Sequence, residues 1–262
     1  MLSEAEAAEV TAAARERGLL FMEAMKTRFV PLHPHVVDAV GALGLVARVH
    51  ASLCNDALAS YRTRDTYILG GGPGSGVLLD CGIYCASWLD ELLPGEIAVE
   101  CVDTAFYEGS DVYVDAHMTI GGVAAELECA CDRARPRQLV VEGERGILTV
   151  DDLHRPQHAE LRIAGEPTRV LDAPYEVDDF YGQITTSAPL CVRETSKAPW
   201  CPTPQPVVAP ASSMPSALLV APRRQAQRCR PPVTLTTPFT HYSLSQPPGW
   251  LFLHPAQSGK YD

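Results

Sequence analysis

The chain has 262 residues, 46% of them hydrophobic, with a formal charge of -11. Its length and apolar content allow a sizeable core, in one large domain or two small ones. An acidic balance excludes nucleic acid as the main partner, because phosphate binding needs a lysine- and arginine-rich surface. No apolar run approaches the roughly 20 residues that span a bilayer. The acidic opening Met1-Leu-Ser-Glu-Ala-Glu6 lacks the basic-then-apolar order of a secretion signal. The cysteines number nine, an odd count, so free thiols in a reducing cytoplasm are expected.

In chain order, Ser3 followed three residues later by Glu6 has capping-box spacing, and the helix-forming run Ala7 to Arg17 follows, ended by Gly18. Leu19-Leu-Phe-Met-Glu23 reads as a short buried strand. A helix, a glycine stop and a strand form the closing piece of a parallel α/β sheet and cannot stand alone. From Gly44 the pattern changes. Leu45 to Leu53 is β-rich, and Val77 to Leu93 suits a helix entered through a glycine loop. Ile97 to Phe106, Asp111 to Ile120, Val123 to Asp132, Gln138 to Glu142, Gly146 to Asp151 and Ala159 to Ile163 read as consecutive strands, punctuated by Glu108-Gly-Ser and Gly121-Gly122. The fold class is α+β, a large and mostly antiparallel sheet with helices on one face.

A composition boundary falls at Ile184. Residues 1–184 hold 30 acidic and 14 basic residues, whereas residues 185–262 hold 2 and 7, with 14 of the 22 prolines. Proline at that density blocks helix interiors and sheet ladders alike, so residues 185–262 are expected to be disordered, either as a Pro-rich interaction tail or as a reading-frame artefact.

The most informative segment is Gly70-Gly-Gly-Pro-Gly-Ser-Gly76, leading to Leu78-Leu-Asp80-Cys-Gly-Ile-Tyr84. It is not a Walker A loop, which needs a lysine after the glycines, and no frame of it gives the dinucleotide fingerprint. Asp80 and Tyr84 stand at i and i+4, hence on one helix face. A carboxylate beside a phenol suits proton transfer to a substrate hydroxyl or carbonyl, and a buried, hydrogen-bonded Asp and Tyr would give the same spacing.

This segment resembles the glycine-loop signature of the Gfo/Idh/MocA oxidoreductases, on the branch that contains dihydrodiol and NADP-dependent D-xylose dehydrogenases. Met22-Glu-Ala-Met-Lys-Thr-Arg28-Phe-Val-Pro31, Val140-Val-Glu-Gly-Glu-Arg-Gly146 and Pro174-Tyr-Glu-Val-Asp-Asp-Phe180 resemble further stretches of that branch in order, over about residues 2–184. The resemblance implies that Tyr84 is the acid/base and that Asp80 orients the substrate. It places Arg28 near the cofactor, NADP, and implies a sugar or trans-dihydrodiol substrate and a homodimer formed through the open sheet. Residues 1–30 would then be a remnant of the Rossmann domain, residues 31–184 the substrate and dimerisation domain, and residues 185–262 the tail. The branch's Rossmann fingerprint and its Glu-Lys-Pro motif are not in this sequence, and Lys26 stands where the branch carries an aromatic residue. The Pro-rich tail takes the place of the branch's closing helix. The resemblance thus leaves two expectations, a truncated dehydrogenase of impaired activity or a non-catalytic sheet module that pairs with itself or a full-length paralogue.

Weaker signals carry structural expectations. Cys129-Ala-Cys131 lacks the spacing of a zinc pair, and Cys81 and Cys85 read as core. His33 and His35 are expected to face solvent or to cap. Asp151-Asp152 and Asp178-Asp179 read as solvated turns. No metal site is expected.

Overall fold

The computed structural model describes residues 4–192. The first helix, α1, spans Glu4–Glu16. Beyond it, Gly18 takes φ 63°, and the Leu19 N–H donates to the Ala14 carbonyl at 2.9 Å, closing the helix end as a left-handed glycine stop does. Ser3, the expected cap, lies outside the described residues. The expected strand at Leu19–Glu23 does not form. An isolated extended segment has no ladder to complete, no described strand runs beside it, and Leu19 is 56% exposed. A 3-10 turn, Lys26–Phe29, leads instead into α2, Leu32–Val40, whose Leu32, Val36 and Ala39 are buried at helical spacing.

The rest is a sheet with helices laid over it. Strand β1 (Val46–Cys54) is followed by the short α3 (Leu58–Tyr61), the glycine loop, a π-helical turn (Leu78–Gly82) and α4 (Ile83–Leu92). Then come β2 (Ile97–Tyr107), β3 (Ser110–Ile120), β4 (Val123–Ala130), β5 (Gln138–Gly143), β6 (Gly146–Asp151), β7 (His158–Ile163) and β8 (Arg169–Asp172). The eight strands lie in the order β2-β3-β4-β1-β5-β6-β7-β8. Only β1 and β4 pair in parallel, with Ala51 opposite Leu127, and every other neighbour is antiparallel. The expected mostly antiparallel α+β sheet is therefore the one observed, with β8 as an added edge strand.

Alternation along β3 shows the two faces. Val112, Val114, Ala116, Met118 and Ile120 are buried, while Tyr113, Asp115, His117 and Thr119 between them are half-buried on the other side. The buried face packs under α4, which lies on β1 and β4, and under α2, which reaches β6, β7 and β8. Trp88, Leu89, Leu32, Val36, Leu127, Leu139, Leu148 and Leu161 fill this layer, each at most 1% exposed. Side chains of that size contribute about 1.5–3 kcal/mol apiece on burial. The last helix, α5, spans Tyr181–Val192 and packs on the 3-10 turn, so the expected boundary at 184 falls inside a helix. Asp178 starts it, its Oδ1 accepting from the Phe180 and Tyr181 N–H groups at 2.9 Å each, an N-cap signal that the proline count obscured. The remainder of the Pro-rich tail lies outside the described residues. Among the described residues no helix is long and apolar enough to cross a membrane.

Candidate active site

The glycine loop is held from the start of β3. The Gly71 N–H donates to Ser110 Oγ at 3.0 Å, and the Leu78 N–H donates to Asp111 Oδ2 at 2.8 Å. Asp111 occupies the space a side chain would need at residue 76. A Cβ on Gly76 would stand 1.8 Å from Asp111 Oδ1, and Gly76 has φ 102°. The loop can therefore close on the carboxylate only with glycine there. Burial pushes the Asp111 carboxyl up, opposed by hydrogen bonds from the Leu78 and Val77 N–H groups.

The helix then opens as a π-turn over Leu78–Gly82 before α4 begins at Ile83, a widened turn of the kind found at functional sites. It carries Asp80, and α4 carries Tyr84 one turn later. Asp80 Oδ1 accepts a hydrogen bond from the Tyr67 hydroxyl, which pushes Tyr67 up to about 12. Tyr84 is half-buried. Burial raises its phenol first, and the charges of Asp80, Cys81 and Asp179 raise it further, against Arg155. The two residues singled out by spacing are thus close enough for one to act on the other's charge, and each has its own surroundings.

Arg28 is turned toward α4. Its Nε donates to Ser87 Oγ at 2.9 Å, and its Nη2 donates to the Ser87 carbonyl at 2.9 Å and to Asp90 Oδ2 at 3.0 Å, while Nη1 pairs with Glu91. Its side chain is 6% exposed. The guanidinium fastens the 3-10 turn to the helix of Tyr84.

Of three neighbours of Tyr84, sequence singled out Lys26 only as a departure from an aromatic position, and Arg155 and His154 not at all. Lys26 is 4% exposed, ion-paired with Asp179, with its Nζ 4.6 Å from the Phe180 ring centroid and 5.9 Å from that of Tyr84. Arg155 Nε meets the same Asp179 Oδ2 at 3.1 Å. The His154 ring stands edge-on to Tyr84, centroids 5.4 Å apart and planes at 71°. His154 Nδ1 lies 2.8 Å from Asp152 Oδ1, which also accepts from Arg137 Nη2 at 2.8 Å. The expectation of solvated turns holds for the exposed Asp151 and Asp178 and is corrected for Asp179, which is buried, and for Asp152, which is half-buried. Asp152 and Asp179 are each held by cations or an imidazole, and Asp178 caps α5. A sequence pattern shows a pair of acids but not their distant partners.

His33, expected to face solvent, stacks on Trp88 with centroids 5.0 Å apart, and burial lowers its imidazole. Cys54, Cys81, Cys85, Cys129 and Cys131 are buried free thiols, and Cys101 is a half-buried one. On the open sheet face, Asp115, His117 and Glu126 bring ligand atoms within 4.8 Å of one another. Arg48 already pairs with Glu126, and Asp115 Oδ1 sits 3.4 Å from His117 Nε2, so the group forms an ion-pair network with a cation built in.

Comparison with known proteins fits this geometry. Residues 37–149 match the family described as GFO/IDH/MocA C-terminal domain. The chain is 28% identical to the scyllo-inositol 2-dehydrogenase (NADP(+)) IolU of Bacillus subtilis, over 67% of this chain and 56% of that protein. It is 31% identical to the trans-1,2-dihydrobenzene-1,2-diol dehydrogenase of Bos taurus, over 63% of this chain and 49% of that one. The chain thus spans about half the length of the curated relatives it matches. Among solved structures, the 3-ketoreductase KijD10 of Actinomadura kijaniata, in complex with NADP and TDP-benzene, superposes with a TM-score of 0.65 at 22% identity, covering 76% of this chain and 63% of that one. The aldose-aldose oxidoreductase of Caulobacter crescentus gives 0.58 at 18%, covering 73% and 59%. The glycine loop, the helix of Asp80 and Tyr84 and the first five strands all lie within residues 37–149, and this segment belongs to the Gfo/Idh/MocA C-terminal domain family.

Proposed function

We propose that this chain is the substrate-binding half of an NADP-dependent oxidoreductase that interconverts a CH–OH group and a carbonyl on a sugar or cyclic diol. The observation that carries the reading is Tyr84, a half-buried phenol beside Asp80 at the mouth of a helix opened by a π-turn. In the reducing direction Tyr84 Oη gives its proton to the substrate oxygen, and in the oxidising direction it takes that proton back. Asp80, fixed by the Tyr67 hydroxyl, offers its other oxygen to a substrate hydroxyl. The nicotinamide of the cofactor would exchange the hydride with the carbon. The described residues contain no cradle for its pyrophosphate. Arg28, with its donors turned to Ser87, Asp90 and Glu91, serves the cofactor side as the clamp that sets α4 rather than as a free cation.

Burial sets a demand on the rest of the site. A phenol already raised by its surroundings is a poor acid/base near neutrality without a further positive neighbour. Impaired turnover by this chain alone follows, with recovery when a nucleotide-binding segment is joined to it. The test is titration of NADPH by its fluorescence, with turnover of a polyol measured in the chain and in the joined protein. Tyr84→Phe should cut turnover of the joined protein by about 100-fold or more and leave NADPH binding intact. Unchanged turnover would remove Tyr84 from this role.

A second reading, a sheet module that pairs with a copy of itself or a longer relative in the cytoplasm, rests on the open face. Ile147 and Val170 lie on it, 43% and 53% exposed, in register with the half-buried Tyr113–Thr119 side of β3. The two readings are compatible, since an active protein could dimerise through the same face.

A further inference from the structure

The loop after β6 is built more tightly than a connection requires. Asp152 adopts φ 48°, one of two non-glycine residues with positive φ among the described residues. This backbone state is uncommon outside glycine, though aspartate tolerates it better than most residues. It turns the carboxylate onto His154 Nδ1 and Arg137 Nη2, both at 2.8 Å. The backbone around it is pinned from three sides. The Trp88 indole N–H donates to the Leu153 carbonyl at 2.8 Å, the Leu153 N–H donates to the Arg137 carbonyl at 3.1 Å, and the Arg155 N–H donates to the Asp152 carbonyl at 2.7 Å. Leu153 itself is fully buried. The side chain held in place by all of this is the His154 imidazole, 17% exposed, against the ring of Tyr84.

The tautomer follows from the partners. Arg137 Nη2 also lies 2.9 Å from His154 Nδ1, but an arginine only donates. The arrangement that gives the Asp152 carboxylate two donors avoids setting two acceptors 2.8 Å apart. In it Nδ1–H and the guanidinium both donate to the Asp152 carboxylate, and Nε2 of the neutral ring is then the acceptor, on an imidazole that stands edge-on to Tyr84. Charge around this wall is close to balanced, with Lys26, Arg137 and Arg155 against Asp152, Asp179 and Asp80. It therefore sets up no strong field for an anionic substrate. What it offers is one imidazole held by Asp152 against the ring of Tyr84.

We infer that His154 is a substrate-contacting residue, whose Nε2 accepts a hydrogen bond from the hydroxyl neighbouring the reacting carbon, with Asp152 as its positioning residue. The inference rests on the oxidoreductase reading of Tyr84 and extends it to the specificity of the same site. A site that fixes an acceptor for a hydroxyl penalises a substrate lacking that hydroxyl far more than one altered by a methylene.

Nuclear magnetic resonance of the full chain with isotope-labelled histidine tests it, using scyllo-inositol and D-xylose with NADPH as probes. His154 should carry its proton on Nδ1, and Asp152→Asn should abolish that preference. Polyol should shift the Nε2 signal in the wild type and in Tyr84→Phe alike. His154→Phe should weaken polyol binding by roughly 10- to 100-fold with the fold retained, and His154→Gln should recover part of the loss. A proton on Nε2 in the wild type, or undiminished polyol affinity in His154→Phe, overturns the inference. Polyol that moves Tyr84 signals but not those of His154 overturns it while leaving the oxidoreductase reading standing. Polyol that moves neither overturns both.

Discussion

Lys26 and Asp179 stand 153 residues apart in the chain and close a buried ion pair between the 3-10 turn and the segment that leads into α5. Removing one partner of such a pair leaves a buried charge uncompensated, which costs about 3–5 kcal/mol. Arg155 remains on Asp179 when Lys26 is lost, so Lys26→Ala belongs at the lower end, near 3 kcal/mol. The double variant Lys26→Met/Asp179→Leu should recover most of that loss. Urea denaturation of the three proteins measures it, and a loss below about 1 kcal/mol in the single variant would mean that Arg155 alone carries the pair.

The same carboxyl gives the fold an acid limit. Burial pushes Asp179 up, but the hydrogen bond and charge of Lys26, and then the charge of Arg155, outweigh it and hold the group below the ordinary carboxylate range. A carboxyl depressed in the folded state stabilises it above the unfolded value, near 3.9, and that contribution fades as pH falls through the folded value. Asp152, pushed up by burial and brought down by His154 and Arg137, adds a second contribution of the same sign. Stability should therefore decline below about pH 4, and more gently in Asp179→Asn. Identical acid limbs in the two proteins, followed by thermal melts, would contradict this.

Gly76→Ala should be among the most disruptive single-methyl changes in the chain. The new Cβ meets the Asp111 carboxylate at 1.8 Å and is forced into φ 102°. A loss of roughly 2–4 kcal/mol is expected. Because the clash sits directly before the turn that carries Asp80, the signals of Tyr84 in a spectrum of the folded variant should shift as well. A spectrum changed only in the loop would show that the helix is set independently of it.

Trp88→Phe removes a donor from the buried Leu153 carbonyl, 2.8 Å away, and half of the stack with His33. An unsatisfied buried carbonyl and the smaller ring together should cost about 2–4 kcal/mol. The effect should also reach the loop of Asp152 and His154, seen as faster hydrogen exchange at Leu153 and Arg155. Exchange unchanged there would separate the packing role of Trp88 from any hold on the loop.

Ile147→Glu with Val170→Glu tests the open face. If copies pair through it, sedimentation should show a dimer in the wild type and a monomer in the double variant, with the fold intact. A dimer that survives the change would move the interface elsewhere.

Much of this fold was legible because alternation in the strands is a local signal. Val112 to Ile120 read the same way in the sequence as in the sheet, and Asp80 and Tyr84 were found from a spacing of four. What escaped depended on partners far along the chain. Lys26 looked like a departure from an aromatic position until Asp179 and Phe180 were seen around it. Asp152 looked like a turn residue and His154 gave no signal at all, since neither Arg137 nor Tyr84 is near them in sequence. The strand expected at Leu19 failed for a related reason, because β structure exists only between chains that meet. Helix α5 was hidden by composition, which averages over residues and so overlooked the single cap at Asp178.

The central place of β1 has a consequence for how the molecule assembles. On one side of it, β2, β3 and β4 are a meander of sequence neighbours, and on the other β5 to β8 are a second. Each meander can zip from its own turns. β1 cannot, since its parallel partner β4 lies beyond two helices and two strands, with Arg48 reaching Glu126 across 78 residues. The two meanders become one sheet only when β1 enters between them, a late and slow closure of the longest loop in the ladder. Because α4 rides on β1 and β4, the helix that pairs Asp80 with Tyr84 is seated on the sheet only when that closure is made.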